Sequence, residues 1–169
     1  MIIPLPKSFD QNEWFLIISF LISIFPVFVL PKRIPSTIMI LMMIYAAVVA
    51  RLFDHLLAGP PLDFYNLMDK GKFEAFDILT YLLYAPFSYF FVYFYEKWHI
   101  KGYKILLYII ASSIGGTAYE WLSHYFNVFN YKEWQLPYSL TVYLLVQPLT
   151  LLFYEYIKKA HERSVNFYN

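Results

Sequence analysis

The sequence predicts an all-α fold, an integral membrane bundle of five transmembrane helices in one domain over residues 1–169. The first observation is composition, because 60% of the residues are hydrophobic, only 15% are charged, and the mean hydropathy is +0.48. Soluble domains are about half apolar and about a quarter charged. The second observation is distribution, because the apolar residues fall into five stretches long enough to cross a bilayer, separated by short polar loops.

Composition also limits the partners and the chemistry. The chain has no cysteine, which excludes disulfides, thiolate metal sites, iron–sulfur clusters and cysteine nucleophiles. Its formal net charge of +1 gives no overall field that would attract nucleic acid. The expected partners are therefore the lipid bilayer and either a second copy of the chain or another membrane protein.

Each predicted span is bounded by residues typical of a membrane interface or a helix end. The five spans cover residues 14–30, 36–57, 75–97, 104–126 and 136–157. Trp14 begins the first span as an interfacial anchor, so residues 1–13 are expected outside the bilayer. The Gly-Pro-Pro run at residues 59–61 ends the second span. Residues 62–74 are expected to form an interfacial loop or a short surface helix.

The fourth span carries a polar stripe on an otherwise apolar helix. Its members follow 3-4-4-3 spacing and share one helix face: Ser113, Gly116, Glu120, His124 and Asn127. Ionisable residues inside a membrane segment are costly and usually face the protein interior or a wet cavity. The small residues of this span, four apart at Ser112 and Gly116, also favour close approach of another helix.

Two further spans have a polar face of the same kind. The third span carries Asp77, Tyr81, Tyr84, Ser88 and Tyr95. The fifth span carries Tyr143, Gln147, Thr150 and Tyr154. Each set follows helical spacing, so its side chains lie on one side of their helix.

The distribution of basic residues predicts the orientation. Five spans place the two termini on opposite sides of the membrane. One side holds eight basic residues: Lys32, Arg33, Lys97, Lys101, Lys104, Lys158, Lys159 and Arg163. The other side holds four: Lys7, Lys70, Lys72 and Lys132. Because cytoplasmic loops are enriched in Lys and Arg, we expect a multi-pass plasma-membrane protein with its N-terminus outside and its C-terminus in the cytoplasm.

This orientation brings the ionisable residues of three spans into the same leaflet. The predicted outer-leaflet polar cluster comprises Arg51, Asp54, His55, Asp77, Glu120, His124 and Asn127. Arg51 and Asp54 are three residues apart and can pair within their own helix. In the first interpretation the cluster is a satisfied polar network that holds the helices together.

In the second interpretation the cluster is a site. Imidazoles and carboxylates without cysteine suit zinc or another divalent ion, with His55, Asp77, Glu120 and His124 as the candidate ligands. The same groups can serve acid–base chemistry on a lipid headgroup or a proton-coupled pathway. The sequence contains no HExxH, GxSxG, P-loop or dinucleotide-binding motif. It therefore assigns no catalytic residue and does not decide whether the protein is an enzyme.

Part of the chain resembles a known group of proteins. The residues that carry the resemblance are Glu120, the run Asn130-Tyr-Lys-Glu-Trp134, the pair Tyr138-Ser139, and Tyr143. They resemble an uncharacterised family of small polytopic membrane proteins from endospore-forming Gram-positive bacteria, with weaker similarity around Asp54 and Asp77. The resemblance implies a bacterial plasma-membrane location and transfers no activity, cofactor or catalytic residue.

Three functions follow as hypotheses. The first is a structural or accessory component of a membrane or envelope assembly, because the loops are small and catalytic motifs are lacking. The alternative is a membrane-embedded metal-binding protein or lipid-modifying enzyme that uses the polar cluster. A small transporter or channel subunit is a further alternative, which would require oligomerisation because five spans are few for alternating access.

Overall fold

A computed structural model of the chain describes residue 6, residues 9–68 and residues 74–168. Its helices are α1 (Gln11–Val29), α2 (Ser36–Leu57), α3 (Ala75–Lys97), α4 (Lys104–Tyr125) and α5 (Leu136–Tyr168). Two short strands, β1 (Tyr65–Leu67) and β2 (Phe129–Tyr131), accompany them. All five helices are long and apolar enough to cross a membrane. The predicted all-helical fold with five such helices is confirmed.

The helix bounds differ from the predicted spans at four ends, one of them the end of α1, which is Val29 and not residue 30. Helix α1 begins before Trp14, at Gln11, because the backbone N–H of Asp10 donates to the Glu13 carboxylate at 2.8 Å and caps the helix. Helix α4 ends at Tyr125, one residue before the predicted end. Helix α5 continues eleven residues beyond the predicted end at residue 157, since Lys, Ala, Glu and Arg in that segment are good helix formers.

Helix α3 is the centre of the fold. It packs against α1 and α2, and it also contacts α5, which in turn packs on α4. Its buried Val92 and Tyr93 join one apolar cluster with Met42 of α2 and Tyr154 of α5. Its buried Leu83 joins a second cluster with residues of α1 and of the segments that carry the strands. The other helices present aliphatic and aromatic side chains outwards, with Phe28, Ile22 and Leu152 all more than two-thirds exposed.

The two strands close one end of the helices. β1 lies between α2 and α3, β2 lies between α4 and α5, and they pair antiparallel with Tyr65 opposite Tyr131. The carbonyl oxygen of Phe64 accepts the backbone N–H groups of the three residues that follow β2. An ion pair at 2.6 Å between Lys132 and Asp63 ties the two segments together at the surface. The expectation of a loop or surface helix over residues 62–74 did not include the strand at residues 65–67, and in this respect it is wrong. Residues 69–73 lie outside the described part.

The opposite end is tied by a polar contact between α3 and α5. Glu96 Oε1 accepts hydrogen bonds from Lys158 Nζ at 2.6 Å and from Tyr154 O–H at 2.9 Å. Both donors lie on α5, one turn apart. This contact and the two-stranded sheet thus hold the helices together at their two ends.

Candidate functional site

A cavity of about 350 Å³ lies among helices α2, α3, α4 and α5, beneath the two-stranded sheet. Most of its wall is apolar and aromatic, including Phe53, Phe91, Tyr108 and Tyr119. One end is polar, and we define this polar end by the residues Asp54, Tyr65, Tyr81, Tyr84, Glu120 and Tyr143. These groups are electrostatic neighbours, because Tyr65 interacts with the carboxylates of both Asp54 and Glu120.

The polar faces predicted for α3 and α5 line this cavity. Tyr81, Tyr84 and Ser88 of α3 belong to its wall. So do Tyr143, Gln147 and Thr150 of α5. The shared helical spacing therefore marks surfaces that face one another across an internal space.

Glu120 receives donors from three chain segments. Its Oε1 accepts the hydroxyl of Tyr131 at 2.8 Å, the indole N–H of Trp134 at 3.3 Å, and the hydroxyl of Ser139. The Trp134 indole also donates to Ser139 Oγ at 2.9 Å. Tyr143 lies close enough to interact with the same carboxylate. All of these donors are uncharged, so they orient the carboxylate without neutralising it.

Asp54 holds α2 to α3. Its Oδ2 accepts the hydroxyl of Tyr81 at 2.6 Å and the guanidinium of Arg51 at 3.2 Å. The Arg51 guanidinium also lies over the Tyr81 ring, 5.3 Å from its centroid. The predicted pairing of Arg51 with Asp54 is confirmed. The second oxygen of Asp54, Oδ1, is buried without a hydrogen-bond partner among the described residues.

Asp77 caps a helix and is not part of the cavity wall. It is buried in the first turn of α3, and its Oδ2 accepts the backbone N–H of Glu74 at 2.9 Å. This reciprocal capping arrangement fixes the start of α3. Asp77 still lies near enough to Asp54 and Arg51 to interact with them electrostatically. Its role is therefore to hold the helix that carries Tyr81 and Tyr84.

Four other residues of the predicted cluster lie outside the cavity wall, one of them Arg51, which bonds to Asp54. His55 is exposed on α2. His124 is partly buried, and its Nδ1 lies 2.6 Å from the carbonyl oxygen of Phe129. Asn127 falls beyond the end of α4 with a φ of +59°, so it turns the chain and does not continue the polar stripe. Left-handed backbone of this kind is tolerated by asparagine.

The predicted metal ligands do not come together. Over residues 9–68 and 74–168, no three His, Asp or Glu side chains are placed to hold a metal ion. The four candidate ligands lie in four different places. His55 is on the exposed surface and Asp77 caps α3. Glu120 lines the cavity, and the ring of His124 stacks on Tyr131. These four side chains therefore do not form a single metal site.

Several functional side chains come from the loop segments. Tyr65 of β1, Tyr131 of β2 and Trp134 lie outside the predicted spans, yet they reach the polar end or its carboxylate. Burial raises the pKa of the Tyr131 phenol well above its usual range, and the neighbouring Glu120 charge raises it further. Burial likewise raises the pKa of Tyr65. Both phenols therefore remain protonated donors at neutral pH.

Comparison with protein-family models, with curated proteins and with solved structures finds no match. The resemblance carried by the fourth and fifth spans stays a prediction. The chemistry of the cavity is therefore the basis for assigning a function.

Proposed function

We propose that the protein is a multi-pass plasma-membrane protein whose internal cavity binds a small amphipathic molecule, with the polar end of the cavity towards the outside. The single observation that carries this proposal is the cavity of about 350 Å³ with one acidic and one aromatic region. The outward-facing apolar side chains of α1 and α5 support a lipid environment, because soluble proteins rarely expose large apolar patches.

The size of the cavity favours binding over a purely structural role. Protein interiors are packed as densely as organic crystals and contain few voids larger than a water molecule, whose share of liquid volume is about 30 Å³. Ligand sites are clefts or cavities of about 300–1,000 Å³. The cavity, which is partly open at the surface, falls within this range at about 350 Å³, and a polar network that served only to join helices would not require a space of that size between them. The cavity therefore argues for an occupant.

The distribution of polarity identifies the kind of occupant. Aromatic side chains such as Phe91 and Tyr108 form an apolar wall around one region. The carboxylates of Asp54 and Glu120, with the phenols of Tyr84 and Tyr143, form the polar end. A molecule with an apolar body and a hydrogen-bonding head matches both regions at once.

The orientation rests on charge and on the position of the sheet. The sheet end carries Lys132 paired with Asp63, whereas the opposite end carries Lys32, Arg33, Lys101 and Lys104. By the positive-inside rule the sheet end lies outside and the basic end lies in the cytoplasm. Lys7, Lys70 and Lys72, which entered the same prediction, lie outside the described residues.

A cavity-filling variant tests the proposal. Gly115 of α4 lines the cavity, and an added Cβ there meets no atom within 4 Å. Gly115→Phe should therefore fill the space without displacing the backbone. Ile114→Phe places an aromatic ring on the adjacent residue, whose side chain is 56% exposed and is not part of the cavity wall, and it serves as the matched control.

The measurement is calorimetric titration of protein in a neutral maltoside detergent with phenylbutanol, phenylbutyrate and phenylbutyltrimethylammonium. We expect saturable binding of at least one probe by the wild type and by Ile114→Phe, and loss of that binding in Gly115→Phe at a melting temperature no lower than that of the wild type. Absence of saturable binding by the wild type, or equal binding by Gly115→Phe, would overturn the proposal and favour the structural or accessory role.

A further inference from the structure

We infer that the head group held at the polar end is an organic cation, an amine or a quaternary ammonium, and that Glu120 recognises it. This inference rests on the proposed function, because it names the chemical class of the molecule that the cavity binds. It depends on the charge balance of the polar end, on the aromatic side chains around Glu120, and on a buried hydroxyl further along the wall.

The two carboxylates of the cavity differ in their charge balance. Asp54 is paired with the guanidinium of Arg51 at 3.2 Å, so these two charges compensate one another. Glu120 forms no ion pair with any basic side chain in the part of the chain that the structure describes. Its donors are a phenol, an indole and a hydroxyl. The polar end thus presents one carboxylate charge that the described residues do not compensate.

Glu120 is half-buried in a largely apolar wall, where a carboxylate charge is costly unless a partner of opposite charge accompanies it. A cationic ligand head would supply that partner, whereas an anionic head would meet two carboxylates. The guanidinium of Arg51 offers little to an anion, because it is already bonded to Asp54 and is not part of the cavity wall. The charge balance therefore selects a cation.

The neighbours of Glu120 are also those that favour an organic cation. Tyr84, Trp134 and Tyr143 line the cavity; Trp134 donates its indole N–H to the Glu120 carboxylate, and Tyr84 and Tyr143 interact with it electrostatically. Aromatic faces attract ammonium groups through the ring quadrupole, most strongly when water is excluded. Aromatic side chains around a carboxylate can thus accommodate a methylated ammonium that forms no hydrogen bonds. A metal ion fits this site less well, because the described residues contain no group of three His, Asp or Glu side chains that could hold one.

A second, independent feature indicates an occupant with a further polar group. Ser88 lines the cavity, is only 8% exposed, and its Oγ has no hydrogen-bond partner among the residues described. Buried hydroxyls almost always have a partner. Ser88 lies one helical turn from Tyr84 on α3, about 6 Å along the helix axis. A hydroxyl, ester or amide on the body of the ligand, next to the cationic head, would complete this bond.

The test compares probes that share one body and differ in the head. Titration of the wild type in neutral detergent should show that phenylbutyltrimethylammonium or phenylbutylamine binds about tenfold or more tightly than phenylbutanol, and that phenylbutyrate binds most weakly. Preference of the trimethylammonium over the amine would indicate recognition by the aromatic rings. The reverse preference would indicate a direct hydrogen bond to Glu120.

The variant Glu120→Gln removes the charge and keeps the size of the side chain. We expect it to lose about tenfold or more of the cation affinity and to lose less of the phenylbutanol affinity, so that the preference for the cation disappears. Glu133→Gln, an exposed residue near β2, is the matched control and should bind every probe as the wild type does. If Glu120→Gln fails to fold, the preference of the wild type among the probes still decides the question.

The outcomes separate this inference from the proposed function. Equal binding of cationic and neutral probes, lost together in Gly115→Phe, would leave the cavity as a binding site and overturn its cation selectivity. Tight cation binding that is unchanged in Glu120→Gln would overturn the role of Glu120. Failure of every probe to bind the wild type would overturn the proposed function, and this inference with it.

Discussion

The ring of His124 stacks face to face on the ring of Tyr131, with centroids 4.1 Å apart and planes inclined by 4°. Tyr131 donates its hydroxyl to Glu120 at 2.8 Å. His124 Nδ1 lies 2.6 Å from the carbonyl oxygen of Phe129, and because a carbonyl can only accept, Nδ1 carries the proton. His124 therefore joins the end of α4 to β2 and positions a donor for the carboxylate in the cavity.

This relationship predicts different effects for two substitutions of His124. His124→Ala removes both the ring stack and the hydrogen bond, and it should destabilise the protein by about 1–2 kcal/mol. His124→Phe keeps the stack and should recover part of that loss. The measurement is thermal unfolding in detergent, followed by tryptophan fluorescence. Two variants of equal stability would show that the ring stack contributes nothing.

The parts of the site that could be predicted from the sequence are those encoded within one helix. Glu120, the polar face of α3 with Tyr81, and the polar face of α5 with Tyr143 all follow helical spacing. Their meeting at one level follows from the alternating direction of successive spans. Local periodicity thus identifies the parts of α3, α4 and α5 that line the cavity, although the same spacing also selected Asp77, His124 and Asn127, which lie outside its wall.

The partners of Glu120 could not be predicted in this way. Tyr131, Trp134 and Ser139 reach its carboxylate because the chain turns back after Asn127, where the backbone is left-handed. The strand that supports this turn pairs with β1, more than sixty residues earlier in the chain. Each strand has only three residues, too few to show alternation, and strand propensity depends strongly on context. These contacts join residues that are far apart in the chain, so no local sequence pattern predicts them.

The link between Asp54 and Tyr81 predicts a loss of stability when the phenol is removed. Tyr81→Phe deletes a 2.6 Å hydrogen bond to a carboxylate and leaves that carboxylate bonded to Arg51. Bonds to charged groups contribute about 1.5–3 kcal/mol, and we expect a loss at the lower end of this range because Arg51 remains. Tyr156→Phe is the matched control, since Tyr156 is 71% exposed. Chemical unfolding of both variants should show a lower stability for Tyr81→Phe alone.

Two adjacent glycines of α4 predict opposite responses to alanine. An added Cβ at Gly116 would lie 3.2 Å from the ring of Tyr143, whereas at Gly115 it would meet no atom within 4 Å. Alanine favours helix by about 1 kcal/mol over glycine, so Gly115→Ala should raise the melting temperature. In Gly116→Ala the crowding of Tyr143 offsets that gain, and the melting temperature should be lower than that of Gly115→Ala.

Gly116→Ala should also change the binding of ligands in the cavity. Tyr143 belongs to the polar end, so displacement of its ring should change the affinity for any probe that binds there. Gly115→Ala, which crowds no side chain, is the control for this measurement too. Equal melting temperatures and equal affinities for the two alanine variants would contradict the close contact between α4 and α5 at this position.

The membrane orientation can be tested with single cysteines, because the chain contains none of its own. Lys101 lies in the exposed turn between α3 and α4, and Glu133 is exposed beside the sheet at the other end. If the sheet end is outside, a membrane-impermeant maleimide should label Glu133→Cys in intact bacterial cells. Lys101→Cys should react only after the cells are permeabilised.

The opposite labelling pattern would place the acidic end of the cavity in the cytoplasm. A head group would then be recruited from the inner leaflet or the cytosol, and the same probes would have to be supplied from that side. Labelling of both cysteines in intact cells would show instead that the sheet and the turn at Lys101 lie on one side of the membrane. That result would contradict a bundle whose successive helices each cross the bilayer, because one helix, α4, separates Lys101 from Glu133 in the chain.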